Sequence, residues 1–120
     1  GVAEMTEVQH QRALIRWAHL AKGKYPDLAM LVHVPNEGKR SRVAGARLKQ
    51  AGLRPGFPDL FLFVPRGPYH GLAIELKADN GQLQSNQRAW IAALRCRGYK
   101  VEVCYGWESA YTTILRYLVQ

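Results

Sequence analysis

Three observations predict that this chain folds as an α/β domain. Apolar residues recur at helical spacing near both ends of the chain and between residues 85 and 94, and short apolar runs bounded by Gly, Pro and Asn lie between these segments. The two patterns alternate rather than segregate, which predicts the order α-β-α-β-β-α-β-α. No internal repeat, low-complexity stretch or linker interrupts that order, so one domain is expected over residues 1–120.

The first helix is expected over residues 6–21. Val8, Leu14, Ile15, Trp17, Ala18 and Ala21 lie at helical spacing, and Thr6 with Gln9 spells a capping box. Residues 28–34 read as a strand stopped by Pro35, and Asn36-Glu37-Gly38 reads as a turn. Val43, Ala46 and Leu48 suit a short helix over residues 41–50 that Gly52 ends. Residues 59–64 and 71–77 are apolar strands joined by a turn over residues 65–68, the pattern of a hairpin, and Asn80-Gly81 closes the unit. Ser85 is expected to cap a helix carrying Trp90, Ile91 and Leu94, with Gly98 beyond its end. Residues 101–105 return as a strand and residues 107–118 form the last helix.

Composition bounds the function. Hydrophobic residues make up 48% of the chain, enough for one packed core. Seventeen Lys and Arg against nine Asp and Glu give a net charge of +8, the balance of a protein that meets a polyanion, with nucleic acid first among the candidates. Cys96 and Cys104 lack the spacing of a zinc or redox motif, so both are expected reduced and packed. No apolar run is long enough to span a membrane and no signal peptide opens the chain. A soluble, cytoplasmic protein is the expectation.

The chemistry is concentrated in Gly71-Leu-Ala-Ile-Glu-Leu-Lys77. The alternation of a strand sends Leu72, Ile74 and Leu76 to one face and Ala73, Glu75 and Lys77 to the other, so an acid and an ammonium stand side by side. A solvated ion pair on an outer sheet face would give the same pattern. Asp59 follows Gly56-Phe57-Pro58 at the start of the preceding strand, where the hairpin can bring its carboxylate beside Glu75. Alternatively, it only caps the turn after Pro58. Two carboxylates in contact need a proton or a cation between them, and hard oxygen donors favour Mg²⁺ or Mn²⁺ over zinc.

Pro58-Asp59 followed by Glu75-Leu76-Lys77 resembles the PD-(D/E)xK nuclease motif. The wider context is similar to the VRR-NUC family: His33-Val-Pro-Asn-Glu-Gly38, Gly52-Leu-Arg-Pro-Gly-Phe-Pro-Asp59, Glu75-Leu-Lys77 and Gln87-Arg-Ala-Trp90. The resemblance implies a restriction-endonuclease-like core, a central mixed sheet flanked by helices. It implies metal-dependent cleavage of branched or structured DNA, as in Holliday-junction resolvases and the nuclease domain of a Fanconi-associated repair protein. The chain resembles the stand-alone viral or bacterial type, for which a homodimer is implied.

By the same resemblance Asp59 and Glu75 hold a Mg²⁺ or Mn²⁺ ion with the Leu76 carbonyl, while Lys77 orients or helps deprotonate the attacking water. Glu7 matches the place of a helix-one glutamate near the metal, although an acid in a first turn also opposes the helix dipole. Gln87 matches a glutamine beside the active site. It lies on the apolar stripe of Leu83, Trp90, Ile91 and Leu94, so a core amide bonded to backbone is the other reading.

The basic run of Lys39, Arg40, Arg42, Arg47, Lys49 and Arg54, with Asn36 in the turn before it, is the candidate DNA-binding segment; a solvated helix face would look the same. His33 is expected to be a packed or loop histidine. A complete Asp, Glu, Lys set favours a nuclease over its alternative, a catalytically silent nucleic-acid-binding domain on the same fold. A basic structural protein with a chance motif would leave Glu7 and Gln87 unexplained.

Overall fold

The computed structural model describes residues 4–35 and 42–120, with side chains from residue 45 onward in the second stretch. Helix α1 spans Glu7–Ala21 and opens on the expected capping box: Thr6 Oγ1 accepts the Gln9 N–H at 3.2 Å, and Gln9 Oε1 accepts the Thr6 N–H at 2.8 Å. Its buried face is His10, Leu14 and Ala18, each four residues from the last, whereas Val8 and Ile15 of the predicted stripe are exposed. The predicted strand over residues 28–34 divides. Pro26–Met30 is a 3-10 helix, Pro26 supplying a preset φ at its start, and only Leu31–His33 is strand β1.

Helix α2 is Arg42–Gln50, and the hairpin follows as β2, Leu60–Leu62, and β3, Leu72–Lys77. Helix α3, Ser85–Arg95, crosses over to β4, Lys100–Tyr105, and α4, Trp107–Leu118, completes the chain. Gln84, not Ser85, caps α3. Its side chain accepts the Gln87 backbone N–H, while Gln87 Oε1 accepts the Gln84 N–H at 2.8 Å.

The sheet order is β1-β2-β3-β4. The first two pairings are antiparallel and β3–β4 is parallel, as a helical crossover requires. Helices cover both faces. Leu72, Ile74 and Leu76 of β3 join Leu60 and Leu62 of β2 under Leu14 of α1 and Ile114 of α4. The Tyr117 hydroxyl in α4 donates to the Val64 carbonyl at 2.6 Å and so ties that layer to the end of the hairpin. On the opposite face Ala73, Phe61 and Val101 pack against Ile91 and Leu94 of α3. Both cysteines are free, but only Cys104 is buried; Cys96 is exposed at the end of α3.

Candidate active site

Asp59 sits at the entry to β2, held by hydrogen bonds to both its backbone and its side chain. Its backbone carbonyl accepts the Val34 N–H at 2.8 Å and a proton from His33 Nδ1 at 3.0 Å. A carbonyl only accepts, so this contact requires the histidine proton on Nδ1. Asp59 Oδ2 accepts the Leu76 N–H across the hairpin at 2.8 Å.

The reason lies in Pro58. The register that pairs Leu60 with Ile74 continues to Pro58 opposite Leu76, and proline has no N–H. The Leu76 N–H turns instead to the Asp59 carboxylate. The Leu76 carbonyl, which faces the same side of the strand, receives no donor from Pro58. Gly56 seats the whole loop. Its φ is +89°, and a Cβ there would lie 2.7 Å from the Asn86 backbone, so only glycine lets the chain before Asp59 rest on the start of α3.

Glu75 and Lys77 face the α3 side of β3, and the outer-face reading of that strand is overturned. Glu75 is 2% exposed, Lys77 6% and Asp59 9%. Burial, reinforced by a hydrogen bond that the Glu75 carboxyl donates to Asp59 and by the charge of Asp59, pushes the Glu75 carboxyl up from 4.5 to about 9; Lys77 pulls the other way and the charge of Glu7 adds to the rise. Near neutral pH Glu75 is therefore a neutral acid, and its proton joins two groups that would otherwise repel.

A cavity of about 360 Å³ opens over these residues, lined among others by Glu7, Asp59, Glu75, Leu76, Lys77 and Gln87. Glu7 reaches it from the first turn of α1, half exposed, with Oε1 at 3.8 Å from Lys77 Nζ. Gln87 is half-buried rather than a core amide: its side-chain oxygen accepts the Gln84 N–H at the start of α3, and it lines the cavity.

The donor set suits a hard divalent cation, because two buried carboxyl groups meet in a cavity that Leu76 and the Lys77 ammonium also line. Among the described residues no group of three or more His, Cys, Asp or Glu side chains is gathered as a metal cage. The core of the set is thus the Asp59–Glu75 pair, with Glu7 at the rim.

Of the basic candidates, Arg47 and Lys49 are exposed on α2, and exposed Arg54 lies over the Trp90 ring at 5.0 Å. Asn36, Lys39 and Arg40, with the predicted 36–38 turn, lie outside the described residues, as does the side chain of Arg42. Two residues were not legible as contributors. His33 fastens Asp59, and buried His10 accepts the Trp107 N–H on Nδ1 at 3.2 Å, joining α1 to the start of α4. The placement of His10, four residues before Leu14 on the buried stripe, was the available signal for the second.

The chain matches the VRR-NUC domain family over residues 5–108. It belongs to the VRR-NUC family. A solved structure described as a VRR_NUC domain protein is 29% identical, and the similarity covers 98% of this chain and 91% of that one with a TM-score of 0.83. The mixed sheet between helices is therefore the restriction-endonuclease-like fold expected of a nuclease domain. A Fanconi-associated nuclease 1 homolog of Caenorhabditis briggsae is 28% identical over 89 residues, 74% of this chain. The matched region is only 10% of that relative, so the VRR-NUC chain corresponds to a small part of the longer protein. No helix among the described residues is long and apolar enough to cross a membrane.

Proposed function

We propose that this VRR-NUC domain is an endonuclease that uses Mg²⁺ or Mn²⁺ to hydrolyse phosphodiester bonds in branched DNA, four-way (Holliday) junctions above all. One observation carries the reading: the buried side chains of Asp59, Glu75 and Lys77 line one cavity. The name of the C. briggsae relative, a nuclease, supports the same class of chemistry.

Asp59, Glu75 and the Leu76 carbonyl would hold the ion, with Glu7 as a further carboxylate at the rim. When bound, a divalent ion lowers the pKa of its water and offsets charge developing on the phosphorus oxygens. As a ligand Glu75 would be an ionised carboxylate, so metal binding would release its proton to solvent. Lys77, an ammonium that only donates, orients the attacking water and stabilises the charge that grows beside it. Gln87, fixed by its cap to the start of α3, positions the strand at the cavity edge.

Arg47, Lys49 and Arg54, together with Asn36, Lys39, Arg40 and Arg42, would meet the phosphates, so affinity should fall with salt. Two strands of a junction are cut, which suits a homodimer with two such sites. The test is a panel of labelled single-stranded, duplex, flap and four-way DNAs incubated with and without Mn²⁺. Mn²⁺-dependent cutting of the branched members supports the reading. Binding without cutting of any member would leave a silent nucleic-acid-binding domain instead.

A further inference from the structure

Beside the candidate active site the loop before Asp59 and the helix after it build a second feature. The guanidinium of Arg54 lies 5.0 Å from the centroid of the Trp90 ring, and Phe57 meets the same indole edge-on at 4.9 Å with the planes 80° apart. Phe57, half-buried and packed against the core, therefore steadies the indole, while exposed Arg54 lies over it. A groove of about 340 Å³ runs along this pair, bounded by Arg54, Pro55, Asn86, Ala89, Trp90 and Ala93. Pro55 and Asn86 line the cavity of Asp59 and Glu75 as well, so the groove begins where that cavity ends.

The groove has one chemistry. Asn86, Ala89, Trp90 and Ala93 recur at helical spacing on α3, which gives a floor of small side chains and a single large aromatic wall. An indole beside a guanidinium plane accepts a flat heterocycle by stacking and cation–π attraction. The Asn86 carboxamide, exposed at the mouth, both donates and accepts and so suits the polar edge of such a ring. A lipid chain would leave Arg54 and Asn86 without partners, and an acidic peptide would not use the indole. In a chain of net charge +8 the ligand with a flat ring and a linked anion is a nucleotide.

We propose that the Arg54–Trp90 groove is a nucleobase subsite that takes an unstacked base adjoining the cleaved phosphodiester. This rests on the nuclease reading above and narrows its substrate. The favoured strand is one whose base at the cut can leave the stack, as at a branch, a gap or an end, since a continuous duplex must first be unstacked.

The experiment walks a single abasic nucleotide, one position at a time, along the cut strand of a flap DNA, and reads affinity for the full chain in Ca²⁺ and cleavage in Mn²⁺. Wild type should lose about 10-fold in affinity at one position next to the cut and little elsewhere. Trp90→Leu should flatten that profile and Trp90→Phe should retain part of it, both with unchanged Mn²⁺ affinity as evidence of an intact fold. Should Trp90→Leu not fold, Arg54→Lys carries the test: it keeps the charge, loses the plane and should reduce the same positional effect. A wild-type profile with no sensitive position, or one that Trp90→Leu and Arg54→Lys leave unaltered, overturns the subsite. Failure of the nuclease reading looks different, because no DNA would then be cut in Mn²⁺ whatever the binding profile.

Discussion

The two faces of the central sheet use the same strand for opposite ends. Towards α1 and α4, β3 presents Leu72, Ile74 and Leu76 to a continuous apolar layer. Towards α3 it starts alike with Ala73 and then turns to Glu75 and Lys77, which are nearly as buried as the leucines opposite. Burying an acid and an ammonium costs free energy that burying aliphatic side chains would contribute. The second face is therefore less stable than it could be at the place where chemistry is expected. A natural sequence keeps such a conflict where function requires it.

Substitutions on either face should separate the two roles. The largest effect expected is on the polar face. Asp59→Asn should lower Mn²⁺-dependent cleavage by about 10³-fold while leaving DNA binding in Ca²⁺ near wild type, read from cleavage rates and a binding titration. On the apolar face Ile74→Ala should destabilise the fold by roughly 2–5 kcal/mol in denaturant melts, while the folded fraction keeps its cleavage rate. Equal loss of activity in the two variants would erase the distinction between the faces.

A third test uses pH. The Glu75 carboxyl is raised in the folded chain, so its contribution is fully present below the ordinary value of 4.5 and is lost as pH rises towards about 9. In chelator, the melting temperature should fall across that window, Glu75→Gln should flatten the fall, and the rise produced by Mn²⁺ should grow with pH. A smaller effect is expected at His33. His33→Ala should weaken Mn²⁺ binding by about 10-fold, and His33→Asn, whose carboxamide can donate to the Asp59 carbonyl, should restore most of it; titration calorimetry reads both.

Much of this was legible in the chain, and the remainder had identifiable reasons. Alternation within β3 placed Glu75 and Lys77 together, because strand periodicity depends on nothing outside the strand. Whether that face is wet or covered depends on α3, which packs from the far side of a turn, so local pattern could not separate a solvated ion pair from a buried one. His33 reaches Asp59 across 26 positions, a contact with no local signature. Residues 28–30, the end of the 3-10 helix at Pro26–Met30, look like strand in the sequence because a short apolar run suits either state. Ser85 is a better N-cap residue than Gln84, but the paired glutamines 84 and 87 close a reciprocal box that outweighs single-residue preference.

The central claim is that Asp59 and Glu75 share one cation. It is tested most directly by a crystal structure of the protein grown with Mn²⁺ and recorded for anomalous scattering. The account predicts a peak in bonding contact with both carboxylates and the Leu76 carbonyl, with Lys77 Nζ beside the same cavity. A peak bound elsewhere, with the Asp59–Glu75 hydrogen bond intact at saturating Mn²⁺, would contradict it.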